Sequence, residues 1–179
     1  VGLPIALLGQ AVGQAAFPRL TAHAEAGDWQ QLRRTQVVSL AAAVGLALGA
    51  VAGLLLLGRL VIRILFERGA FDAAAGDLTY RVLVIYAVAL PAYIATEVIT
   101  RGLIALRDTR TPLLTNTGQL IGRVAVIVAL LPAFGVLAIP AAFAITSTLE
   151  TLTLGAVLWR KLSRRAAAPR GPLSNEVTL

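Results

Sequence analysis

Four charged residues stand inside runs that are otherwise apolar. Glu97 and Arg101 interrupt the run from Val82 to Leu106, Arg123 the run from Pro112 to Leu131, and Glu150 the run from Val136 to Trp159. A charge in hydrocarbon costs several kcal/mol unless it is paired or wetted, so each marks either an ion pair or a polar path. Glu97 and Arg101 are four apart in the favourable Glu-before-Arg order. They also lie near one end of their run, where long side chains can reach back to the interface. Arg123 and Glu150 lie deeper. Arg123 is 11 residues past Pro112, about 16 Å at 1.5 Å per residue, and Glu150 is 9 before Trp159, about 13 Å from the same side. The matched depths, and the short turn LPAFG (131–135) between the two runs, predict a cross-helix Arg123–Glu150 pair facing the interior. Such a pair either locks two helices or lines a polar cavity that meets an anionic substrate. The residue types leave both open.

Covalent chemistry has no candidates. The chain has no Cys, which removes thiolate nucleophiles, thiolate metal sites and disulfides. A single His, His23, cannot build a zinc site. No paired-carboxylate motif for magnesium–diphosphate, no G-x-S-x-G, no H-E-x-x-H and no phosphate-binding loop occurs. Asp72 and Asp77 read as solvated loop residues. We therefore expect no catalytic residue, no metal and no cofactor, and a chain that is not an enzyme.

The elements that must hold these charges follow from composition. The chain is 58% hydrophobic and 14% charged, with a mean hydropathy of +0.80. A soluble domain is nearer one quarter charged. The fold class expected is all-α, a polytopic transmembrane helix bundle. It has four full spans, at 35–58, 82–106, 112–131 and 136–159, plus a truncated span at the N-terminus, 1–18. Between them lie a polar stretch over 19–34, a charged stretch over 59–81 whose back half, with Gly69 and Gly76, reads as loop, and the connection 107–110. Residues 1–160 form the transmembrane unit. Residues 161–179 read as a basic, disordered tail.

All but one of the 16 basic residues are Arg, and most flank the apolar runs, as topology-setting residues do; nucleic acid is not an expected partner. Arg19, Arg33, Arg34, Arg107, Arg110, Arg160, Lys161, Arg164, Arg165 and Arg170 fall on the side of the tail, which places the C-terminus in the cytoplasm. Gly45, Gly49 and Gly53 recur every four residues, as do Gly9 and Gly13, and Gly118 and Gly122; such rows let helices pack closely or slide. The chain has no Met and opens inside an apolar run, so it is expected to be the C-terminal part of something longer.

Three stretches carry a resemblance to a known family. LPIALLGQAVGQAAFPRLTAHAEAGDWQQLRR resembles a helix ending in a P-R-L-S type cytoplasmic loop. LFERGAFDAAAGDLTYRVLVIYAVALPAY, with Phe66, Gly69 and Phe71, is similar to an LFERGAF loop followed by an L-x-x-Y-x-x-G-L-P-A helix. ITRGLIALRDTRTP, with Arg107, Asp108, Thr109, Thr111 and Pro112, is similar to an R-x-F-Y-A-x-x-D-T-x-T-P segment. In this order and spacing they resemble the C-terminal lobe of the MurJ/MviN family. These are lipid II flippases of the multidrug/oligosaccharidyl-lipid/polysaccharide exporter superfamily.

The resemblance implies a two-lobed bundle in the bacterial cytoplasmic membrane that works by alternating access. Its substrate would be an undecaprenyl-diphosphate-linked peptidoglycan precursor. Its partners would be membrane lipids and an N-terminal lobe of the same transporter, and its role peptidoglycan synthesis and cell shape. An exporter of another undecaprenyl-linked unit, or a membrane scaffold that has lost transport, are the alternatives. The sequence departs from the family pattern in places. Arg123 aligns where many members have Asn, Gly102-Leu103-Ile104-Ala105 replaces A-F-Y-A, and Ala89 replaces Gly. Locally, Asp108 can cap backbone N–H groups of its turn, Pro112 fits a first helical turn, and Arg107 and Arg110 can meet anionic headgroups.

Overall fold

The computed structural model describes residues 2–66 and 73–167, with side chains over 14–65 and 73–167. They form five α-helices: α1 Gly2–Glu25, α2 Trp29–Phe66, α3 Ala73–Ala105, α4 Arg110–Phe134 and α5 Ala138–Ala167. One 3-10 turn, Gly135–Leu137, joins the last two, and no strand occurs among the described residues. The fold is the all-α membrane bundle that composition implied. Three helical stretches are long and apolar enough to cross a membrane: Trp29–Leu65, Ala73–Ala105, and Arg110–Ala167, which contains both α4 and α5. With 25 and 30 residues, α4 and α5 each exceed the roughly 30 Å of hydrocarbon by length.

The helices outrun the apolar stretches. Much of the expected polar loop 19–34 is helical, leaving only 26–28 between α1 and α2. Gly76, expected in a loop, is buried inside α3. At the other end α5 continues to Ala167 with Leu162 buried, so residues 161–167 of the expected tail are helix; residues from 168 on lie outside the described ones. Hydropathy marks where lipid ends. Helical hydrogen bonding goes on until a turn signal stops it.

Two of those turns are built alike. After α1, Gly27 takes a left-handed φ of 67°. The Asp28 N–H donates to the His23 carbonyl at 3.0 Å and the Gly27 N–H to the Ala24 carbonyl at 3.3 Å. After α3, Arg107 takes φ 59°, with Asp108 N–H to the Leu103 carbonyl at 3.0 Å and Arg107 N–H to the Ile104 carbonyl at 2.8 Å. This is the crossed pair of bonds that closes a helix through a left-handed residue. Each Asp then accepts the backbone N–H three residues on, Gln31 at 3.0 Å and Thr111 at 3.1 Å, and so starts the next helix. Glycine adopts the left-handed conformation freely. Arg107 adopts it at a cost of about 1–2 kcal/mol.

α3 is the central helix, packed against α1, α2 and α5, while α4 leans chiefly on α5. A leucine-rich core of Leu20, Leu32, Leu103, Leu154, Leu158 and Leu162 fills the end that carries the two tight turns. A smaller one, Ala43, Ala47, Ile94 and Val98, joins α2 to α3. The outside is apolar, with Leu56, Leu114 and Ile121 exposed, and α4 has no buried residue at all. That is the surface lipid requires. The small-residue rows of α2 and α4 do not pack as expected, and the surroundings of Gly9 and Gly13 lie outside the described residues. A Cβ at Gly45, Gly49, Gly53, Gly118 or Gly122 would meet nothing within 4 Å, and α2 makes its close contact through Ala43 and Ala47 instead. Periodic glycines permit a close approach without specifying a neighbour.

One buried α2–α3 contact is polar. Gln36, fully buried, donates from Nε2 to the Val98 carbonyl at 3.0 Å, while its Oε1 has no partner among the described residues. A Cβ at Gly102 would lie 2.6 Å from that oxygen. Gly102→Ala should therefore lower the stability of the detergent-solubilised protein by about 1–3 kcal/mol, and Gln36→Ala introduced beside it should relieve part of the loss. Thermal unfolding reads both. A single mutant as stable as the parent would mean that Gln36 moves aside freely.

Candidate functional site

Arg123 leaves α4 toward α5. Its Nε donates to Thr146 Oγ1 at 3.3 Å, and its guanidinium carbon sits 4.7 Å over the Phe143 ring. Thr146 Oγ1 is free to accept because its own proton goes to the Ala142 carbonyl at 2.8 Å. Phe143 in turn leans on Tyr86 and Tyr93 of α3, with ring centroids 5.4 and 5.9 Å away. One edge and one face of the guanidinium are thus fixed. Its two terminal amino groups have no hydrogen bond or ion pair among the described residues.

The expected Arg123–Glu150 ion pair does not form, because Arg123 meets Thr146, one helical turn short of Glu150. The tight turn at Gly135 sets the register: Arg123 precedes it by 12 residues and Thr146 follows it by 11, whereas Glu150 follows by 15. Depths measured from Pro112 and Trp159 missed this because α5 overshoots Trp159. Glu150 nevertheless lies within electrostatic reach of Arg123 and Glu97, and Tyr93 within reach of all three. Three helices therefore bring Glu97, Arg123 and Glu150 into one neighbourhood. Arg101 makes no ion pair with Glu97, and its Nε is buried without a partner among the described residues.

A cavity of about 280 Å³ opens between α4 and α5, lined by Thr115, Gly118, Gln119, Gly122, Thr146 and Glu150 among others. Gly118 and Gly122 leave room on its α4 side, and Gln119 of its lining donates from Nε2 to Ser147 Oγ of α5 at 3.4 Å. The lining hydroxyls donate along their own helices, Thr115 to the Thr111 carbonyl, Thr146 to Ala142 and Thr153 to Leu149. Among the described residues no group of three or more His, Cys, Asp or Glu could hold a metal ion.

A second polar assembly sits at the leucine-rich end. Asp108 accepts Lys161 Nζ at 2.5 Å through Oδ2 and the Thr111 N–H through Oδ1. One turn on, Arg165 donates to the Leu106 carbonyl at 3.3 Å and lies 5.0 Å over the Trp29 ring, while Arg33 lies 5.5 Å over Trp159. The last turns of α5 thereby grip the α3–α4 connection. Burial alone would push the Asp108 carboxyl up; the hydrogen bonds from Lys161 and Thr111 outweigh it and hold the group at about 2. Of the motif residues, Asp108 caps through its carboxylate, Thr109 begins α4 without a side-chain cap, and Pro112 stands in the first turn. Arg107 is exposed at the left-handed position. Gly69, Phe71 and the side chain of Phe66 lie outside the described residues. Thr146, Phe143, Lys161, Arg165 and Gln36 make contacts that sequence reasoning missed. For Lys161 and Arg165 the four-residue spacing on a continuing helix was an available signal.

The family described as "Lipid II flippase MurJ" matches the chain over residues 1–175. The chain belongs to this family. A probable lipid II flippase MurJ of Rhizobium meliloti (strain 1021) is 30% identical over 159 residues, covering 88% of this chain and 30% of that protein. One of Rhizobium tropici is 30% identical over 159 residues, covering 89% and 30%. A solved lipid II flippase MurJ in an inward closed conformation superposes with a TM-score of 0.74 at 20% identity, over 92% of this chain and 35% of that one, which shows the shared fold. The chain spans about a third of the length of the MurJ relatives it matches. With its apolar helices, it is a bacterial membrane protein of a transporter family.

The clasp at Asp108 carries a pH signature. Its folded value of about 2 lies below the ordinary 3.8, so its stabilisation is complete at neutral pH and is lost as pH falls from about 4 through 2. Asp108→Asn should cost about 1–2 kcal/mol at pH 7. Lys161→Met should cost a similar amount, and the double mutant less than the sum. Unfolding curves at pH 7 and pH 3 check this, and additive losses would mean that the two side chains act apart.

Proposed function

We propose that the chain is the C-terminal lobe of a flippase that turns lipid II, an undecaprenyl-diphosphate-linked peptidoglycan precursor, from the inner to the outer leaflet of the bacterial cytoplasmic membrane. The observation that carries this reading is the half-buried group of Arg123, Glu97, Glu150 and Tyr93, beside a cavity whose lining includes Thr115, Gln119, Thr146 and Glu150, in a bundle whose outer surface is apolar. A large anionic headgroup needs a wetted path through a region that charges avoid, and this group supplies one wall of such a path. The lipid tail can remain in the bilayer. The opposite wall belongs to an N-terminal lobe, and alternating access is a rocking of the two lobes around the headgroup.

The end bearing Arg33, Arg34, Arg107, Arg110, Arg160, Lys161, Arg164 and Arg165 faces the cytoplasm on this reading, and with it the C-terminus. Trp29 and Trp159, each under an arginine, sit where an interfacial belt is expected. Membrane lipids are the natural partners of such an end, and nucleic acid is not.

The test uses the full-length parent gene, expressed in bacteria depleted of their own lipid II flippase. Lipid II exposed at the outer leaflet is the quantity measured, and restored exposure with survival is the expected result. Stable, inserted protein without exposure would move the assignment to another undecaprenyl-linked glycan or to a scaffold.

A further inference from the structure

The guanidinium of Arg123 is half satisfied. Nε and the ring face are engaged by Thr146 and Phe143, and the two terminal amino groups project without a partner among the described residues. Such a group is rarely left idle in hydrocarbon, where an unpaired charge costs several kcal/mol. The nearest carboxylates do not take up the fork: neither Glu150 nor Glu97 is within ion-pair distance of it. The adjoining cavity adds a second observation. The hydroxyl protons of Thr115, Thr146 and Thr153 are committed to backbone carbonyls, so its walls offer oxygen acceptors and few donors. Arg123 at its edge, joined to it through Thr146, and the Gln119 amide are the donors left.

We propose that Arg123 is a substrate-binding residue whose free guanidinium edge takes an oxyanion pair of the translocated lipid, its diphosphate, with Thr146 and Phe143 holding the fork at the required angle. Two parallel N–H donors on a rigid plane suit a phosphate bidentately, whereas an ammonium meets it as a point charge. Glu150 then serves release. It lies within electrostatic reach of Arg123 and competes with the bound anion, which keeps binding weak enough for a transported group to leave. The inference rests on the flippase reading for its choice of ligand.

The experiment measures binding of undecaprenyl diphosphate to the purified full-length parent protein, with undecaprenol as the uncharged control, beside the lipid II exposure assay. Arg123→Gln should weaken undecaprenyl diphosphate roughly tenfold or more and leave undecaprenol unchanged. Arg123→Lys should fall between, because it keeps the charge and loses the fork. Glu150→Gln should bind several-fold tighter, and it keeps the question open to measurement if the Arg123 variants fail to insert. Equal affinity in Arg123→Gln, or Glu150→Gln binding no tighter than the parent, overturns the proposal. A loss seen only with complete lipid II and not with undecaprenyl diphosphate overturns the diphosphate and points to a carboxylate of the headgroup. If the parent exposes lipid II while Arg123→Gln binds normally, the flippase reading stands and only Arg123's role falls. If the parent binds undecaprenyl diphosphate through Arg123 yet exposes no lipid II, the binding site stands and the flippase reading falls.

Discussion

In hydrocarbon a polar group has no water to fall back on, and this bundle is organised by that constraint. Threonines return their protons to the preceding turn, as Thr117 does to Leu113 and Thr148 to Ala144. Where two helices need a polar contact it is closed on itself: Thr151 of α5 meets both the Thr96 hydroxyl and the Ala92 carbonyl of α3 at 2.7 Å. With these groups satisfied locally, the outer face can be left to Leu, Val and Ile. Two buried side-chain atoms are left without a partner among the described residues, Gln36 Oε1 between α2 and α3 and Arg101 Nε on α3, while the charges of Glu97, Arg123 and Glu150 come together where α3, α4 and α5 meet.

The two polar assemblies divide the labour. At the leucine-rich end, Asp108 binds a backbone N–H of α4 and the Lys161 ammonium of α5, and Arg165 closes a carbonyl at the end of α3. Three helices are fixed there by charge-assisted bonds, laid over a core of closely packed leucines. Toward the middle, α4 has little to hold it besides α5, and Gly118 and Gly122 leave room on its cavity side. A firmly clasped end and a loosely covered flank are what the proposed role, a headgroup passing along one side of the bundle, requires.

Much of this was legible in the residues. Apolar runs gave the helices, and the intramembrane charges gave the flank. The R-D-T-R-T-P stretch gave both the family and the Asp108 cap, because a carboxylate three residues before a free N–H is a local matter. What was not legible depends on register and on distance along the chain. The Arg123 partner came out one turn away from Glu150 since the hairpin is indexed from Gly135 and not from the membrane surface. The Lys161–Asp108 and Arg165–Leu106 bonds join residues 53 and 59 apart. A basic, proline-containing tail conceals that its first turns are helix. A glycine in place of Arg107 would have announced the turn, as Gly27 does in the matching one, so the left-handed residue was hidden by its side chain.

The proposed transport role requires that the α4–α5 flank face water and not lipid. Because the chain has no Cys, single cysteines can be read cleanly here once any in the rest of the parent protein are removed. The decisive measurement is labelling by a membrane-impermeant thiol reagent at Gly118→Cys and Gly122→Cys, against Val124→Cys and Val128→Cys on the exposed apolar side of the same helix. Reaction at the first two and protection of the second two is the expected result. Protection at all four, or reaction only at the valines, would put the cavity in lipid and contradict a wetted path.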